Sequence, residues 1–429
     1  MTIDRYRAVF ANRSFRIFWS GFSFSVLGDG MTRVALIWFV YSATGSARAV
    51  GMLLLCYTGP IIVGGLMAGM LLDRFDRRHV MIADNLTRGA VIGLIPLLHA
   101  LGRLTLWHAY VVAGVYGLLM MISLAGGPSL VPSLVPDEQL VTANALEMLS
   151  FTLGGVVGPP LAGLLIAIIG APNVVIVDVA SYALFALALS RVRLAPRPVA
   201  VAQAAEQAYN LGHAVRLLLG NRILLSTTAM FLAFNIGRGM LLVWLPLLAD
   251  RSLGGGAGLY GLLLGAEAAG EVTSSLLAGG ISPRLPLGAS ICLSQMLAGA
   301  VLLIVLATRN VWGAAIGLAL YGLCSAPLTI WAQTLRMRII PERLRGRAFA
   351  LLRTLMQSGT PIGGALGGIL LPLIGIPAMI ALSACIVGAP GVIGVQVRAL
   401  READNRRGPL APEALPLAAM PDVAEGQAS

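Results

Sequence analysis

Charged residues interrupt several long apolar segments of this sequence, and their spacing suits particular chemistry. Asp29 and Arg33 lie four residues apart in one segment, and Glu267 and Glu271 lie four residues apart in another. On a helix, residues four apart share a face. The first two residues can therefore form an ion pair, whereas the two glutamates repel each other and favour protonation of one of them. Holding and releasing a proton is the chemistry of a proton carrier.

Composition identifies the segments as membrane-spanning. The 429 residues are 57% hydrophobic and 11% charged, with a mean hydropathy of +0.85, whereas a soluble domain is about 25% charged. Crossing a bilayer takes about 20 helical residues. Twelve apolar segments reach that length, at approximately 15–41, 50–72, 80–101, 106–130, 140–169, 174–189, 223–248, 259–281, 287–307, 311–335, 344–374 and 378–397.

The two halves of the sequence repeat each other. A shift of 205 positions aligns Gly158 with Gly363, and a shift of 209 positions aligns Gly28 with Gly237. Because the repeated units are long apolar runs, the duplication favours a transporter built from two parallel halves. We predict an all-α polytopic membrane protein with twelve transmembrane helices in two pseudo-symmetric six-helix bundles. The bundles are predicted at 1–192 and 217–397, with a cytoplasmic linker at 193–216 and a disordered cytoplasmic tail at 398–429.

The charged residues inside the segments have both structural and functional interpretations. A charge near the bilayer centre costs at least about 2.5–3.5 kcal/mol, so each needs a partner, water or a function. Asp29 either carries protons or serves as an ion-pair partner of Arg33. Arg238 occupies in the second half the position of Asp29 in the first, and it can neutralise Glu267 or Glu271. The glutamates therefore carry protons, bind a cationic substrate, or form a structural pair with Arg238.

The positions of the arginines predict the orientation in the membrane. The sequence has no lysine, and its 30 basic side chains other than histidine are arginines. They cluster between segments on one side, and the other side holds only Arg48, Arg103, Arg251 and Arg309. By the positive-inside rule, both termini lie in the cytoplasm of a bacterial-type inner membrane. This distribution accounts for the net charge of +11 without a nucleic-acid partner. Without lysine, a Gly-Lys-Ser/Thr phosphate loop is excluded, and direct drive by ATP is not expected.

A charged loop joins the second and third segments. It carries Gly69, Asp73, Arg74, Arg77 and Arg78, and this spacing resembles the signature loop of the major facilitator superfamily. The resemblance implies a latch that holds the halves together on the cytoplasmic side in the outward-facing state. The glycine permits close helix approach, the acid can meet a helix N-terminus, and the arginines can bridge to acids. The alternative for Arg77 and Arg78 is a role as positive-inside anchors alone.

A second motif lies in the fifth segment, at Gly154, Gly158, Pro159 and Gly163. It resembles the Gly-Pro motif of antiporters in the same superfamily, although the family usually spaces the following glycine one residue closer. Small residues at these intervals make a smooth helix face, and proline bends a helix. The alternative interpretation is plain helix packing, because glycines recur at the aligned positions of the second half.

Further charged residues are assigned to structural roles. Asp84 and Arg88 follow the charged loop and are predicted to be latch partners. Asp178, Glu147 and Arg353 are predicted to form packing or gating pairs. The four cysteines lie inside apolar segments without paired spacing, so neither a disulfide framework nor a metal site is expected.

Three short stretches indicate a branch of the superfamily. Residues 28–30, 134–136 and 143–146 resemble macrolide-efflux and siderophore-export proteins. In that family the first, fourth, seventh and tenth helices line the cavity. The resemblance therefore implies a mostly apolar substrate pocket with a few polar groups, for which the candidates are Phe24, Tyr116, Asn235, Trp244, Tyr321 and Gln333.

These features predict a secondary transporter that exports an amphipathic small molecule, such as a drug, antibiotic or siderophore, by alternating access. It is expected to act as a monomer, with the proton gradient as its energy source and no cofactor. The alternatives are an uptake or uniport carrier of a small metabolite, and a non-transporting receptor or assembly partner. The intact Asp73-Arg74 pair argues against the last. An enzyme is not expected, because no metal-ligand motif and no nucleophile with a nearby histidine is evident.

Overall fold

The structure, a computed structural model, describes residues 2–192, 211–280, 285–341 and 345–403. The described residues are helical and contain no strand, which confirms the all-α prediction. The predicted linker lies outside the described residues up to position 210, and its last residues begin a helix at Leu211. The predicted tail lies outside them after Ala403. Its first residues, 398–403, belong to the packed structure, because the backbone of Gly288 donates a hydrogen bond to Ala403.

Sixteen α-helices occur in the described residues. In the first half they are α1 (Thr2–Ala11), α2 (Arg13–Thr44), α3 (Ala47–Thr58), α4 (Pro60–Arg74), α5 (Arg77–Ala100), α6 (Leu106–Leu130), α7 (Leu140–Ile169) and α8 (Ala171–Arg191). In the second half they are α9 (Leu211–Gly220), α10 (Arg222–Leu247), α11 (Gly256–Gly280), α12 (Leu287–Thr308), α13 (Val311–Ile339), α14 (Arg345–Gln357), α15 (Gly359–Gln396) and α16 (Arg398–Arg401).

The first long helix of each half begins directly after an asparagine, and the repeat aligns these two asparagines. The side chain of Asn12 accepts hydrogen bonds from the backbone N–H groups of Ser14 and Phe15 at the start of α2. Asn221, which the shift of 209 positions aligns with Asn12, caps α10 in the same way. An asparagine at this position satisfies otherwise unpaired N–H groups and contributes about 1 kcal/mol to helix stability.

Ten helical stretches of the described residues are long and apolar enough to cross a membrane. Nine of them coincide with single predicted segments. The eleventh and twelfth predicted segments fall together in the tenth stretch, Leu351–Gln396. The eighth predicted segment corresponds to α11, which carries Glu267 and Glu271 and is not among the ten. The structure therefore supports a multi-span helical membrane protein with ten candidate crossings.

Helix packing is dense within each half and continues across the boundary between them. In the first half, α2 packs on α7 and α8, and α5 packs on α6 and α8. In the second half, α10 packs on α15, and α12 packs on α13 and α15. Two helix pairs join the halves, α7 with α11 and α3 with α15. Both crossings use glycine: a Cβ atom on Gly261 would overlap the backbone of α7, and one on Gly51 would overlap the backbone of α15.

Candidate functional site

A buried polar cluster lies among the helices of the first half, and we call it the Asp29 cluster. Its centre is the carboxylate of Asp29 on α2. The Tyr116 hydroxyl on α6 donates a hydrogen bond to this carboxylate at 2.6 Å, and the Tyr182 hydroxyl on α8 donates another. Arg88 Nη1 on α5 lies 3.3 Å from the same oxygen, Oδ1. Four helices thus converge on one carboxylate, of which 21% is exposed.

The guanidinium of Arg88 holds this cluster together. It is fully buried, and its Nη2 lies 2.8 Å from Oδ2 of Asp84. Ser123 on α6 bonds both Arg88 and Asp84. The guanidinium also lies 4.4 Å from the ring centroid of Tyr182, a cation–π contact. A buried cation with two carboxylates and an aromatic face is well compensated for the loss of water.

These contacts exclude one of the two interpretations of Asp29. Its carboxylate does not pair with Arg33, because it is engaged by Arg88 and the two tyrosines. Helix packing thus supplies a partner 59 positions away in place of the sequence neighbour. In this conformation Asp84 and Arg88 contact each other and the interior of the half rather than the charged loop, and their role as latch partners in the outward-facing state stays a prediction.

A second charged cluster lies between α10 and α11, and we call it the Glu267 cluster. Arg238 Nη2 lies 3.3 Å from Oε1 of Glu267 and 3.9 Å from Oε2 of Glu271. Glu267 is almost fully buried, whereas the Arg238 and Glu271 side chains are 35% and 43% exposed. One cation therefore faces two carboxylates at a partly exposed site. The structure brings together the three residues that the sequence analysis associated.

The two clusters occupy related places with altered chemistry. Arg238 stands at the position aligned with Asp29, so a base replaces an acid. Tyr321 aligns with Tyr116, but its hydroxyl is buried without a hydrogen-bond partner among the described residues, and its ring stacks on Phe234. Aligned positions of the two halves thus differ in their ionisable groups.

Asp178 on α8 is a third buried acid of the first half. Thr32 donates a hydrogen bond to its Oδ2 at 2.6 Å, and Ser181 donates one to its Oδ1 at 2.9 Å. Its neighbours are hydroxyl groups, and no arginine forms an ion pair with it in the described part of the chain. The expected packing role is therefore met by hydrogen bonds rather than by an ion pair.

The two other predicted pairing residues have no such contacts among the described residues. Glu147 is buried on α7, and its Oε1 has no hydrogen-bond partner within the described residues. Arg353 on α14 is exposed.

The predicted latch loop joins α4 to α5, and we call its side of the molecule the loop side. Asp73 and Arg74 are exposed, and no ion pair joins either one to another described side chain. Arg77 donates a hydrogen bond to the carbonyl of Ser129 at 3.1 Å, and Arg78 donates one to the carbonyl of Ser190. These bonds stay within the first half. Gly69 has open space where a Cβ atom would lie, so close approach at this glycine is not part of this conformation.

The Gly-Pro motif lies at a crossing of three helices. Gly154 and Gly158 of α7 pack against α2 near Val26 and Gly30. Gly163 packs against α11, where a Cβ atom would lie 3.1 Å from the Cα of Gly261. The motif therefore joins α7 both to its own half and to the other half, as the packing interpretation requires.

The predicted pocket residues fall into different environments. Trp244 is fully buried and donates a hydrogen bond to Ser383 Oγ at 3.2 Å, so it packs α10 on α15 rather than lining a pocket. Asn235 is also buried and bonds the carbonyl of Met356 at 3.0 Å. The remaining candidates are Tyr116 and Tyr321, which are buried beside the two clusters, Phe24, which is 61% exposed, and Gln333, which is partly exposed.

The sequence analysis missed a polar contact between the halves on the side opposite the loop. The Tyr41 hydroxyl near the end of α2 donates a hydrogen bond to Asp250 Oδ2 at 2.7 Å. Arg251 Nη2 donates one to the carbonyl of Gly45 at 2.7 Å. Asp250 and Arg251 belong to a π-helical turn, Leu248–Ser252, that ends α10. No spacing pattern in the sequence marks this contact, because its partners come from different halves.

The fold and the two charged clusters define a class, the polytopic helical membrane transporters. The chain belongs to the transmembrane secretion effector family of the major facilitator superfamily, whose pattern it matches over residues 6–421. It is a transporter and not an enzyme.

Curated relatives and solved structures agree with this assignment. The chain is 30% identical over 382 residues to the enterobactin exporter EntS of Salmonella typhimurium, which covers 86% of each chain. It is 22% identical over 412 residues to macrolide efflux protein A of Streptococcus pyogenes, covering 91% of this chain and 97% of the relative. Among solved structures, the nucleoside transporter NupG superposes with a TM-score of 0.73 at 13% identity, covering 89% of this chain and 98% of NupG. That likeness concerns the fold alone.

Proposed function

We propose that this protein is a twelve-helix, proton-coupled exporter of an amphipathic small molecule that works by alternating access. The observation that carries the proposal is the Glu267 cluster, in which one partly exposed arginine of α10, a candidate membrane span, serves two carboxylates of α11. The names of the relatives, a macrolide efflux protein and an enterobactin exporter, support export and an amphipathic cargo. The arginine distribution supports a location in an inner membrane with both termini in the cytoplasm.

Twelve crossings in two six-helix bundles are supported by one pair of glycines. Gly170 separates α7 from α8 with φ 81° and ψ 150°. Gly375, aligned with it by the shift of 205 positions, has φ 77° and ψ 168° inside α15. Such a backbone is essentially restricted to glycine and interrupts a helix. In this proposal α15 is two crossings that meet at Gly375, and α11 is the crossing that its glutamates make less hydrophobic.

We assign this conformation to the state that is open on the loop side. The halves meet on the opposite side through Tyr41 with Asp250 and through the glycines of α7 and α11. The latch residues Asp73 and Arg74 are exposed and disengaged. Alternating access then requires the opposite-side contacts to break and the loop side to close around the latch.

Proton coupling is assigned to the Glu267 cluster rather than to the Asp29 cluster. When Glu267 and Glu271 are both ionised, Arg238 neutralises one of two negative charges. A proton on either glutamate balances the cluster, so uptake and release are coupled to the contacts of Arg238. The Asp29 cluster is closed around the fully buried Arg88, and its charged side chains are less exposed than Arg238 and Glu271. It serves to hold α2, α5, α6 and α8 together.

Flux in proteoliposomes tests this function. The purified protein would be assayed with an imposed proton gradient and a panel of lipophilic cationic, neutral and anionic compounds. Wild type is expected to move at least one compound with gradient dependence. The double variant Glu267→Gln/Glu271→Gln is expected to lose gradient-driven flux. The control variant Glu138→Gln, an exposed acid on the loop side, is expected to behave as wild type.

Three outcomes separate the alternatives. Driven flux that persists in the double variant would move the coupling role to Asp29. Flux without any gradient dependence in wild type would indicate a uniporter. No flux of any compound under any gradient would contradict transport of this cargo class.

A further inference from the structure

One arginine within the membrane-spanning helices stands apart from those of the two clusters. Arg88 and Arg238 each contact two carboxylates. Arg33 lies well inside α2, and among the described residues it makes no ion pair, no hydrogen bond and no cation–π contact. Its sequence neighbour Asp29 is turned towards Arg88 and the tyrosines of its own cluster. The charge of Arg33 is therefore uncompensated at close range.

The surroundings of Arg33 form a small apolar pocket. Its walls come from α2, α3 and α6, and they include Leu53 and Tyr57 with other aliphatic side chains. Arg33 is the single charged residue in this lining. The ring of Tyr57 stacks on Tyr116 with centroids 5.5 Å apart, which fixes its orientation. The space between these walls is about 10 Å³, against roughly 300–1,000 Å³ for a ligand pocket, so the body of a ligand must lie outside it, on the side where Arg33 is partly exposed.

The helix that carries Arg33 meets the second half nearby, because Trp38 of α2 stacks on Tyr260 of α11 with ring centroids 5.8 Å apart. Glu267 lies on the same helix as Tyr260 and forms no ion pair with Arg33 among the described residues. A ligand bound at Arg33 thus stands between the first half and the Glu267 cluster, which is where a cargo must bind if both halves are to respond to it.

The guanidinium of Arg33 favours an anionic ligand. A guanidinium is always charged and presents paired N–H donors that match the two oxygens of a carboxylate. In a low-dielectric pocket an anion gains more from this contact than it does in water. A cationic ligand would be repelled, and a neutral ligand would leave the guanidinium without a charged partner.

We propose that Arg33 is a cargo-recognition residue that binds an anionic group of the transported molecule, a carboxylate or a comparable oxyanion. The inference rests on the proposed transport function and specifies its substrate class. A lipid headgroup is disfavoured as the occupant, because headgroups lie at the membrane surface whereas Arg33 lies within the helical span.

Binding to the full-length protein tests the proposal without requiring transport. Isothermal titration in phosphatidylcholine nanodiscs would compare 2-naphthoate and anthracene-9-carboxylate with their primary amides, which keep the ring and lose the charge. In wild type, at least one carboxylate is expected to bind about tenfold more tightly than its amide, as for a charge-assisted hydrogen bond. Arg33→Gln is expected to remove this preference and leave amide binding unchanged. Arg33→Lys is expected to retain part of it.

The controls keep the result specific. Arg103→Gln, which removes an exposed arginine on the opposite side, is expected to preserve the preference, and thermal unfolding of each variant verifies folding. The proposal is overturned if no carboxylate binds more tightly than its amide to wild type, or if the preference survives in Arg33→Gln. Because phosphatidylglycerol repels any carboxylate, a lipid headgroup would be identified as the occupant only if phosphatidylglycerol nanodiscs abolish the preference in wild type while they weaken carboxylate binding to Arg33→Gln less, and that result would overturn the assignment to cargo.

Transport assays separate this inference from the proposed function. Gradient-driven flux of a neutral or cationic compound, together with no preference for carboxylates, would support the proposed export function and contradict the anion site at Arg33. Carboxylate binding that depends on Arg33, together with no flux of any compound, would support the anion site and contradict the proposed transport function.

Discussion

At the residue scale, the central chemistry of this protein depends on which acid reaches which arginine. Asp29 and Arg33 have the spacing of a helical ion pair, yet Asp29 pairs with Arg88, 59 positions away. Arg88 offers more, because it is buried beside two tyrosines that also bond Asp29. A closed network of this kind excludes water and strengthens each member. As a consequence, Arg88 has a structural role, whereas Arg33 has no ion-pair partner among the described residues.

Arg88→Lys tests the structural role of the Asp29 cluster. Lysine keeps the charge but cannot contact Asp29, Asp84 and the Tyr182 ring at once. We expect a loss of stability of about 3 kcal/mol, as when one partner of a buried ion network is compromised. Thermal unfolding in detergent, followed by size-exclusion chromatography, measures the effect. Arg103→Lys provides the matched exposed control, and an equal melting temperature for the two variants would contradict the role.

Gly28→Ala tests the packing of α2 on the buried carboxyl of Asp178. A Cβ atom at Gly28 would overlap Oδ1 of Asp178 and lie 2.7 Å from Ser181 Oγ. We expect destabilisation by about 1–3 kcal/mol, the usual cost of overpacking. The double variant Gly28→Ala/Asp178→Ser should recover part of the loss, because the second half has serine, Ser383, at the position aligned with Asp178. Thermal unfolding of the single and double variants measures both effects. A double variant no more stable than Gly28→Ala would refute an overlap between the added methyl group and the Asp178 carboxyl.

At the element scale, helix positions follow from the sequence and helix contacts do not. The ends of α2 and α10 are local features, because Asn12 and Asn221 cap them with their own side chains. The glycine pattern of α7 likewise predicts a close-packed face. Which helices share that face is set by the whole bundle, and so is the burial of Trp244, which the sequence analysis assigned to the pocket. Helix caps and glycine spacing depend on a few neighbouring residues, whereas the helices that pack on a given face come from distant parts of the chain.

Gly261→Ala tests the crossing of α7 and α11 that joins the halves. A methyl group at this position would overlap the carbonyl oxygen of Pro159, so the helices must separate on the side opposite the loop. We expect a cost of about 1–3 kcal/mol to this conformation. Gly258→Ala, on the same helix and with open space around its Cβ position, is the matched control. Thermal unfolding and spin-label distances between α7 and α11 measure the effect, and identical behaviour of the two variants would exclude a tight crossing.

At the scale of the whole molecule, the repeat provides a symmetric frame and the charges make it asymmetric. α7 packs on α2 and α11, and its counterpart α15 packs on α10 and α3. Within that frame, Arg238 replaces Asp29 and Ser383 replaces Asp178. The symmetric part was predictable, since aligned glycines mark it in the sequence. The contacts between the halves were not predictable from the sequence, because they depend on which side of the molecule is closed.

The opposite-side contact between Tyr41 and Asp250 should set the balance between the two conformations. A hydrogen bond to a charged acceptor contributes about 1.5–3 kcal/mol, so Tyr41→Phe is expected to increase the population that is open on that side by about tenfold or more. Spin labels at Ser42 and Ser252, in a variant without the native cysteines, would report this opening as a longer distance. Asp250→Asn should act in the same direction, and the double variant should add little to either change, since both remove one bond. A distance distribution unchanged by Tyr41→Phe would mean that the glycine crossings alone hold the halves together, and Gly261→Ala would then be the variant that opens them.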